Sequence, residues 1–147
     1  MKQTVPILRL DPRAKLPTYG SASAAGADLY ALLDAPLTVA AGETVLVRTG
    51  VAVALPEATV GLICARSGLA TKRGLAPANK VGVIDADYRG ELLVALHNHG
   101  TAAATVEPGE RIAQLLIVPY ITADFSECES LDETERGAGG FGSTGRG

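Results

Sequence analysis

The sequence predicts an all-β protein, a sandwich or jelly-roll barrel with one short helix. Residues 44–55, TVLVRTGVAVAL, alternate with a period of two: Val45, Val47, Thr49, Val51, Val53 and Leu55 fall on one face, and Thr44, Leu46, Arg48, Gly50, Ala52 and Ala54 on the other. The remaining apolar runs are short and separated by turn residues, the pattern of many short strands. Residues of the hydrophobic class make up 47% of the chain but aromatics only 4%, so the core has to be built from Leu, Val, Ile and Ala. A length of 147 residues suits a single domain.

The expected strands lie at 5–10, 27–33, 37–40, 44–55, 59–65, 81–85, 91–97, 102–106 and 111–118. In 27–33 one face is Ala27, Leu29, Ala31 and Leu33, opposite Asp28, Tyr30 and Leu32. The turn signals are Ala41-Gly42, Pro56-Glu57, His97-Asn98-His99-Gly100 and Pro108-Gly109. Ser67–Lys72 has helical leanings and is ended by Gly74, with Ser67 suited to cap it. The body, 1–126, carries equal numbers of acidic and basic residues. After it the charge turns negative through an acidic linker at 127–135. The Gly-rich segment 136–147 then holds almost nothing apolar except Phe141. Such a tail is expected to be solvated and flexible, which leaves Phe141 without a role.

Composition excludes several classes. The apolar content excludes general disorder. No apolar run approaches the ~18 residues of a membrane span, and MKQTVPILRLDPR returns to charge too soon for a secretory signal. Six aromatics are too few for a base-stacking surface, so no direct nucleic-acid partner is expected. Two cysteines do not make a disulfide scaffold: Cys64 reads as a small core residue and Cys128 as exposed, consistent with a reducing, cytoplasmic setting.

Several chemical motifs dissolve when their context is considered. Gly137–Gly142 satisfies G-x-G-x-x-G, but the chain ends too soon for the helix that a dinucleotide fold requires. Its glycine N–H groups, with Arg136, Ser143 and Thr144, can still grip phosphate oxygens. The D-x-D of Asp85–Asp87 sits in a helix-poor context unlike that of aspartyl-phosphate hydrolases. No G-x-S-x-G elbow surrounds Ser67. His97 and His99 lack metal-ligating partners at convincing spacing and read as structural. What survives is Asp85 at the end of an apolar strand with Tyr88-Arg89-Gly90 close behind, and Arg66-Ser67-Gly68 where another strand meets the helix.

Five segments, taken in order, resemble the trimeric deoxyuridine triphosphate diphosphatase (dUTPase) family. They are Ala25–Leu29 (AGADL), Ala65–Gly68 (ARSG), Asn79–Gly90 (NKVGVIDADYRG), Gly109–Leu115 (GERIAQL) and Arg136–Gly145 (RGAGGFGSTG). The resemblance implies a jelly-roll-like distorted barrel of the β-clip type. It also implies a homotrimer with sites at subunit interfaces and a flexible C-terminal arm, 136–147, that closes each site. The implied reaction is hydrolysis of dUTP to dUMP and pyrophosphate by water attack on the α-phosphorus.

The resemblance also assigns roles. Asp85 is the general base, and Tyr88 packs under the deoxyribose. Asn79 and the hairpin through Val83 and Ile84 read the uracil, with Leu93 alongside. Arg66, Ser67, Gly68 and Gln114 hold the phosphates, and Arg136, Gly142, Ser143 and Thr144 hold their outer end. Phe141 stacks on the base. Mg2+ rides on the triphosphate, and Asp28 reaches it through water. Deoxycytidine triphosphate deaminases share the implied fold but carry glutamate where this chain has Asp85.

Overall fold

The computed structural model describes residues 3–140. It is all-β with one helix among the described residues. In chain order the elements are β1 (Ile7–Arg9), β2 (Thr18–Tyr19), β3 (Ala27–Tyr30), β4 (Leu37–Val39), β5 (Thr44–Arg48), β6 (Val51–Val53), β7 (Thr59–Cys64), α1 (Ser67–Arg73), β8 (Leu75–Pro77), β9 (Val81–Ile84), β10 (Leu93–Asn98), β11 (Ala104–Val106) and β12 (Arg111–Pro119). The largest sheet runs β2-β3-β12-β7-β9. A second runs β5-β10-β8, and β1-β6 and β11-β4 form two-stranded ribbons. Every pairing is antiparallel.

The core is aliphatic, as the composition requires. Leu29, Leu75, Leu92, Leu96, Ile112 and a set of valines are fully buried, and no aromatic among the described residues joins them. The face of 44–55 that carries Val47, Thr49, Val51, Val53 and Leu55 is buried, and Gly50 and Ala52 of the opposite face are buried with it. The run is not one strand, however. It breaks at Thr49-Gly50, so that β5 pairs with β10 while β6 pairs with β1. Gly50 sits at φ +72°, and a Cβ there would stand 2.7 Å from both Ala14 Cβ and Leu32 Cδ2. Only glycine meets both demands. Buried Thr49 closes the corner by donating its hydroxyl to the Leu92 carbonyl at 2.6 Å.

Other expectations need correction. Ser67 is the first helical residue rather than the cap; Arg66 holds the cap position in extended backbone and makes no side-chain cap hydrogen bond. Gly74 does end the helix, at φ +67°, with its N–H reaching the carbonyls of Ala70 and Leu69. Cys64 is only half-buried, and both cysteines are free. The strands β2 and β8 are too short to leave a periodic signal and were not expected. His97 is not in a turn: β10 continues through it to Asn98, and its Nδ1 lies 2.8 Å from Thr44 Oγ1 across the β5–β10 ladder.

Asn98 is the polar anchor of the core. It is fully buried, donates Nδ2 to the carbonyls of Val39 and Ala102 at 2.9 Å each, and accepts from Gly100 N–H at 2.9 Å. Its side chain thereby ties β4 and the loop after β10 together with no buried polar atom left over. Asn98→Ala is therefore expected to lower unfolding free energy by roughly 3 kcal/mol, because two carbonyls and an N–H lose their partner. Thr105→Ala, whose exposed hydroxyl meets only Thr38, should cost under about 0.5 kcal/mol. Urea titration of the two variants checks both values.

Candidate active site

Three of the five sequence segments fall on strands β3, β12 and β9 of the largest sheet, and a fourth, Ala65–Gly68, follows directly on β7 of the same sheet. Gln114 on β12 is opposite Asp28 on β3 and also opposite Cys64 on β7. Cys64 in turn faces Val81 on β9. One row across the sheet therefore holds Asp28, Gln114, Cys64 and Val81, and Arg66 lies just beyond the row where β7 gives way to α1.

At this end of the sheet the side chains interlock. Asp28 is buried, although it lies on the face opposite the buried Ala27 and Leu29. Arg66 explains this: its Nε donates to Asp28 Oδ1 at 2.7 Å, and Arg111 Nη1 donates to Oδ2 at 3.3 Å. Two guanidinium groups thus compensate the desolvated carboxylate. Gln114 Nε2 donates to the Ala65 carbonyl at 2.8 Å, fixing the chain as it leaves β7. Gly26 must lack a side chain, since a Cβ there would run into the Gln114 amide and stand 3.1 Å from its Cβ. Ser67 and Gly68 are exposed in the first turn of α1, and nothing lies within 4 Å of a Cβ placed at Gly68. Backbone N–H groups in that turn are free of helical partners.

The second cluster is built around β9. Lys80, at φ +66°, makes the tight turn from β8, and Val81 N–H closes onto the Asn79 carbonyl at 2.7 Å. Behind this turn lies a cleft of about 220 Å³ lined by Asn79, Gly82, Val83, Ile84 and Leu93, with Ile63 at its floor. Such a volume is at the small end of ligand sites and suits one planar ring. A Cβ at Gly82 would stand 3.3 Å from Ile63 and 3.4 Å from Asn79 Nδ2, so glycine keeps the cleft open. Asp85 is exposed just past the end of β9. A turn closed by Tyr88 N–H on the Asp85 carbonyl, at 3.1 Å, holds Asp85 and Tyr88 on one loop.

The two clusters do not meet within one chain. Asp85 lies four residues beyond Val81 along β9, roughly 13 Å at ~3.3 Å per residue. It is also three strands across the sheet from Asp28. In the last segment Arg136 folds back on its own turn, Nε donating to the Gly139 carbonyl at 2.9 Å. Phe141, Gly142, Ser143 and Thr144 lie outside the described residues. Among the described residues no three His, Cys, Asp or Glu side chains gather as a metal cage.

Sequence reasoning assigned no role to Arg111, Glu91 or Gly90. Arg111 was visible only as a letter in its segment, because its partner is distant in sequence. The same holds for the pair formed by Arg73 and Glu110, which ties α1 to the turn before β12.

The geometry can be set beside known proteins. A sequence profile described as dUTPase matches residues 12–145. The chain is 51% identical to the deoxyuridine 5'-triphosphate nucleotidohydrolase of Desulfitobacterium hafniense, over 99% of this chain and 97% of that one. It is 48% identical to the protein of the same name from Paraburkholderia phymatum, over 99% of each. Among solved structures, the dUTPase of Staphylococcus bacteriophage 80alpha, a G164S mutant with dUpNHpp, superposes with a TM-score of 0.90 at 29% identity, covering 99% of this chain and all of the other. The fold, the arrangement of the segments and these likenesses agree, and the chain belongs to the dUTPase family.

Proposed function

We propose that the chain hydrolyses dUTP to dUMP and pyrophosphate, limiting uracil entry into DNA and supplying dUMP for thymidylate synthesis. The observation that carries this reading is the ring-sized cleft lined by Asn79, Val83, Ile84 and Leu93, with Asp85 and Tyr88 on the adjoining loop. Uracil enters the cleft, where Asn79 and the hairpin backbone meet its polar edge. A narrow cleft rejects bases with larger substituents, and the hydrogen-bond pattern rejects cytosine. Tyr88 lies under the deoxyribose.

Asp85 accepts a proton from the attacking water. The water oxygen forms a bond to the α-phosphorus as the bond from that phosphorus to the bridging oxygen breaks, and pyrophosphate departs with that oxygen. Arg66, Ser67, Gly68 and Gln114 bind the phosphate chain. Arg136, Gly142, Ser143 and Thr144 close over its outer end, and Phe141 covers the base. Closure of 136–147 excludes water and completes the positioning.

The separation of the two clusters within a chain supports assembly of each site from more than one copy, as in a homotrimer. The phosphate-binding cluster of one subunit then faces the base cleft of its neighbour. Both Asp28 oxygens are already held by arginine, and among the described residues no cage of protein ligands gathers. These residues suit a Mg2+ ion that the substrate would bring with it, Asp28 being the residue that would help hold it through water, and a bound ion would supply neutralisation of phosphate charge. No helix among the described residues is long and apolar enough to cross a membrane, and the reading places the work in the cytoplasm.

Pyrophosphate release should be strong with dUTP and Mg2+, and weak with UTP, dTTP or dCTP. Ammonia release from dCTP would point instead to the related deaminases. Asp85→Asn should abolish turnover while leaving a non-hydrolysable analogue bound nearly as tightly, as measured by calorimetry. Retained turnover removes Asp85 as the base. Deleting 136–147 should leave the body folded and lower kcat/KM by on the order of 10²-fold. Near-normal activity of that truncation rules out a closing arm.

A further inference from the structure

Tyr88 is supported by more than its place on the loop. A Cβ on Gly90 would run into the Tyr88 hydroxyl oxygen and stand 2.6 Å from Cζ and 3.0 Å from Cε2, so the hydroxyl end of the phenol ring packs directly against bare Gly90 backbone. The Tyr88 hydroxyl donates to the Glu91 carbonyl at 2.9 Å. Glu91 is itself latched to the corner between β5 and β6. Its carboxylate accepts from Gly50 N–H at 2.7 Å and from Arg48 Nε at 3.1 Å. Next to it, Leu92 N–H donates to the Val51 carbonyl at 2.8 Å, and the Leu92 carbonyl takes the Thr49 hydroxyl. Tyr88 is 41% exposed, yet the hydroxyl end of its ring is confined by bare Gly90 backbone and held by a backbone carbonyl whose segment four hydrogen bonds keep in place.

We propose that Gly90 and Glu91 are positioning residues that set the plane of Tyr88 and, through it, the exclusion of a 2′-hydroxyl. This rests on the reading that Tyr88 faces the substrate sugar. An apolar surface rejects an added hydroxyl only weakly unless it cannot yield, and a wall acts sterically only if its support holds it to within a fraction of an ångström. A methyl on Gly90 pushes the ring off its seat. Loss of the Glu91 carboxylate frees the segment that carries the ring's acceptor. Either change opens room beside the sugar, and UTP gains relative to dUTP.

The test is the ratio of kcat/KM for dUTP to that for UTP, with Mg2+, in Gly90→Ala, Glu91→Ala and Glu91→Gln. Gly90→Ala and Glu91→Ala should lower the ratio about tenfold, whereas Glu91→Gln, whose amide oxygen still accepts from Gly50, should stay within about twofold of wild type. A purely structural role depresses both substrates together and leaves the ratio unchanged. Folded Gly90→Ala and Glu91→Ala proteins with the wild-type ratio overturn the proposal. Should Gly90→Ala fail to fold, the Glu91 pair decides it. A wild-type enzyme that hydrolyses dUTP and UTP equally well overturns the sugar-contact reading beneath it, and one that hydrolyses neither overturns the proposed function.

Discussion

Strand β12 sets the position of everything chemical in this fold. It pairs with β3 on one side and β7 on the other, and both registers meet at Gln114. Because side chains alternate, slipping either register by one residue would turn a whole strand inside out. It would bury charge and expose Ile112, Ala113 or Leu115, all of which lie in the core. Hydrophobic burial along β12 therefore fixes where Asp28, Arg66 and the start of α1 stand. Gln114 then secures the exit of β7 with its own amide. The phosphate-binding end of the proposed site is a consequence of core packing.

The buried Asp28 shows how such a site can carry charge without a basic surface. Two arginines compensate its desolvation, one of them half exposed. The body has no net charge, so an anionic substrate has to be met by local groups. A carboxylate that orients Arg66 would, under the proposed function, prepare one of them in advance, although part of the guanidinium charge is then already engaged. Breaking one side of such a pair is expensive when the remaining charge stays buried, which gives Asp28 a structural duty beside any contact with a hydrated ion.

Much of the fold was legible in sequence because aliphatic alternation is a local signal. Val47, Val51, Val53 and Leu55 declared their face, and Gly74 declared the end of the helix. The Gly50 corner was not legible, because the alternation passes through it unbroken while the chain changes partners. Burial of Asp28 was hidden for a different reason: the arginines that make it possible are 38 and 83 residues away. The composition of the five segments carried the family resemblance and the kind of chemistry. It carried nothing about distance, so the separation of Asp85 from Asp28 emerged only when the strands were laid side by side. Short strands such as β2, with two residues, have no period to detect.

That separation is the central claim, since under the proposed function a site divided in this way is completed by a neighbouring chain. Its most direct measurement is complementation between Arg66→Gln, which impairs the proposed phosphate cluster, and Asp85→Asn, which removes the proposed base. Each variant alone should be nearly inactive. If a site takes the two clusters from adjacent subunits, unfolding and refolding the variants together in equal amounts should restore about a quarter of wild-type activity, the fraction of interfaces that receive both intact clusters. If each site is built within one chain, every site in the mixture carries a lesion, and activity that stays at the level of the separate variants would contradict the account.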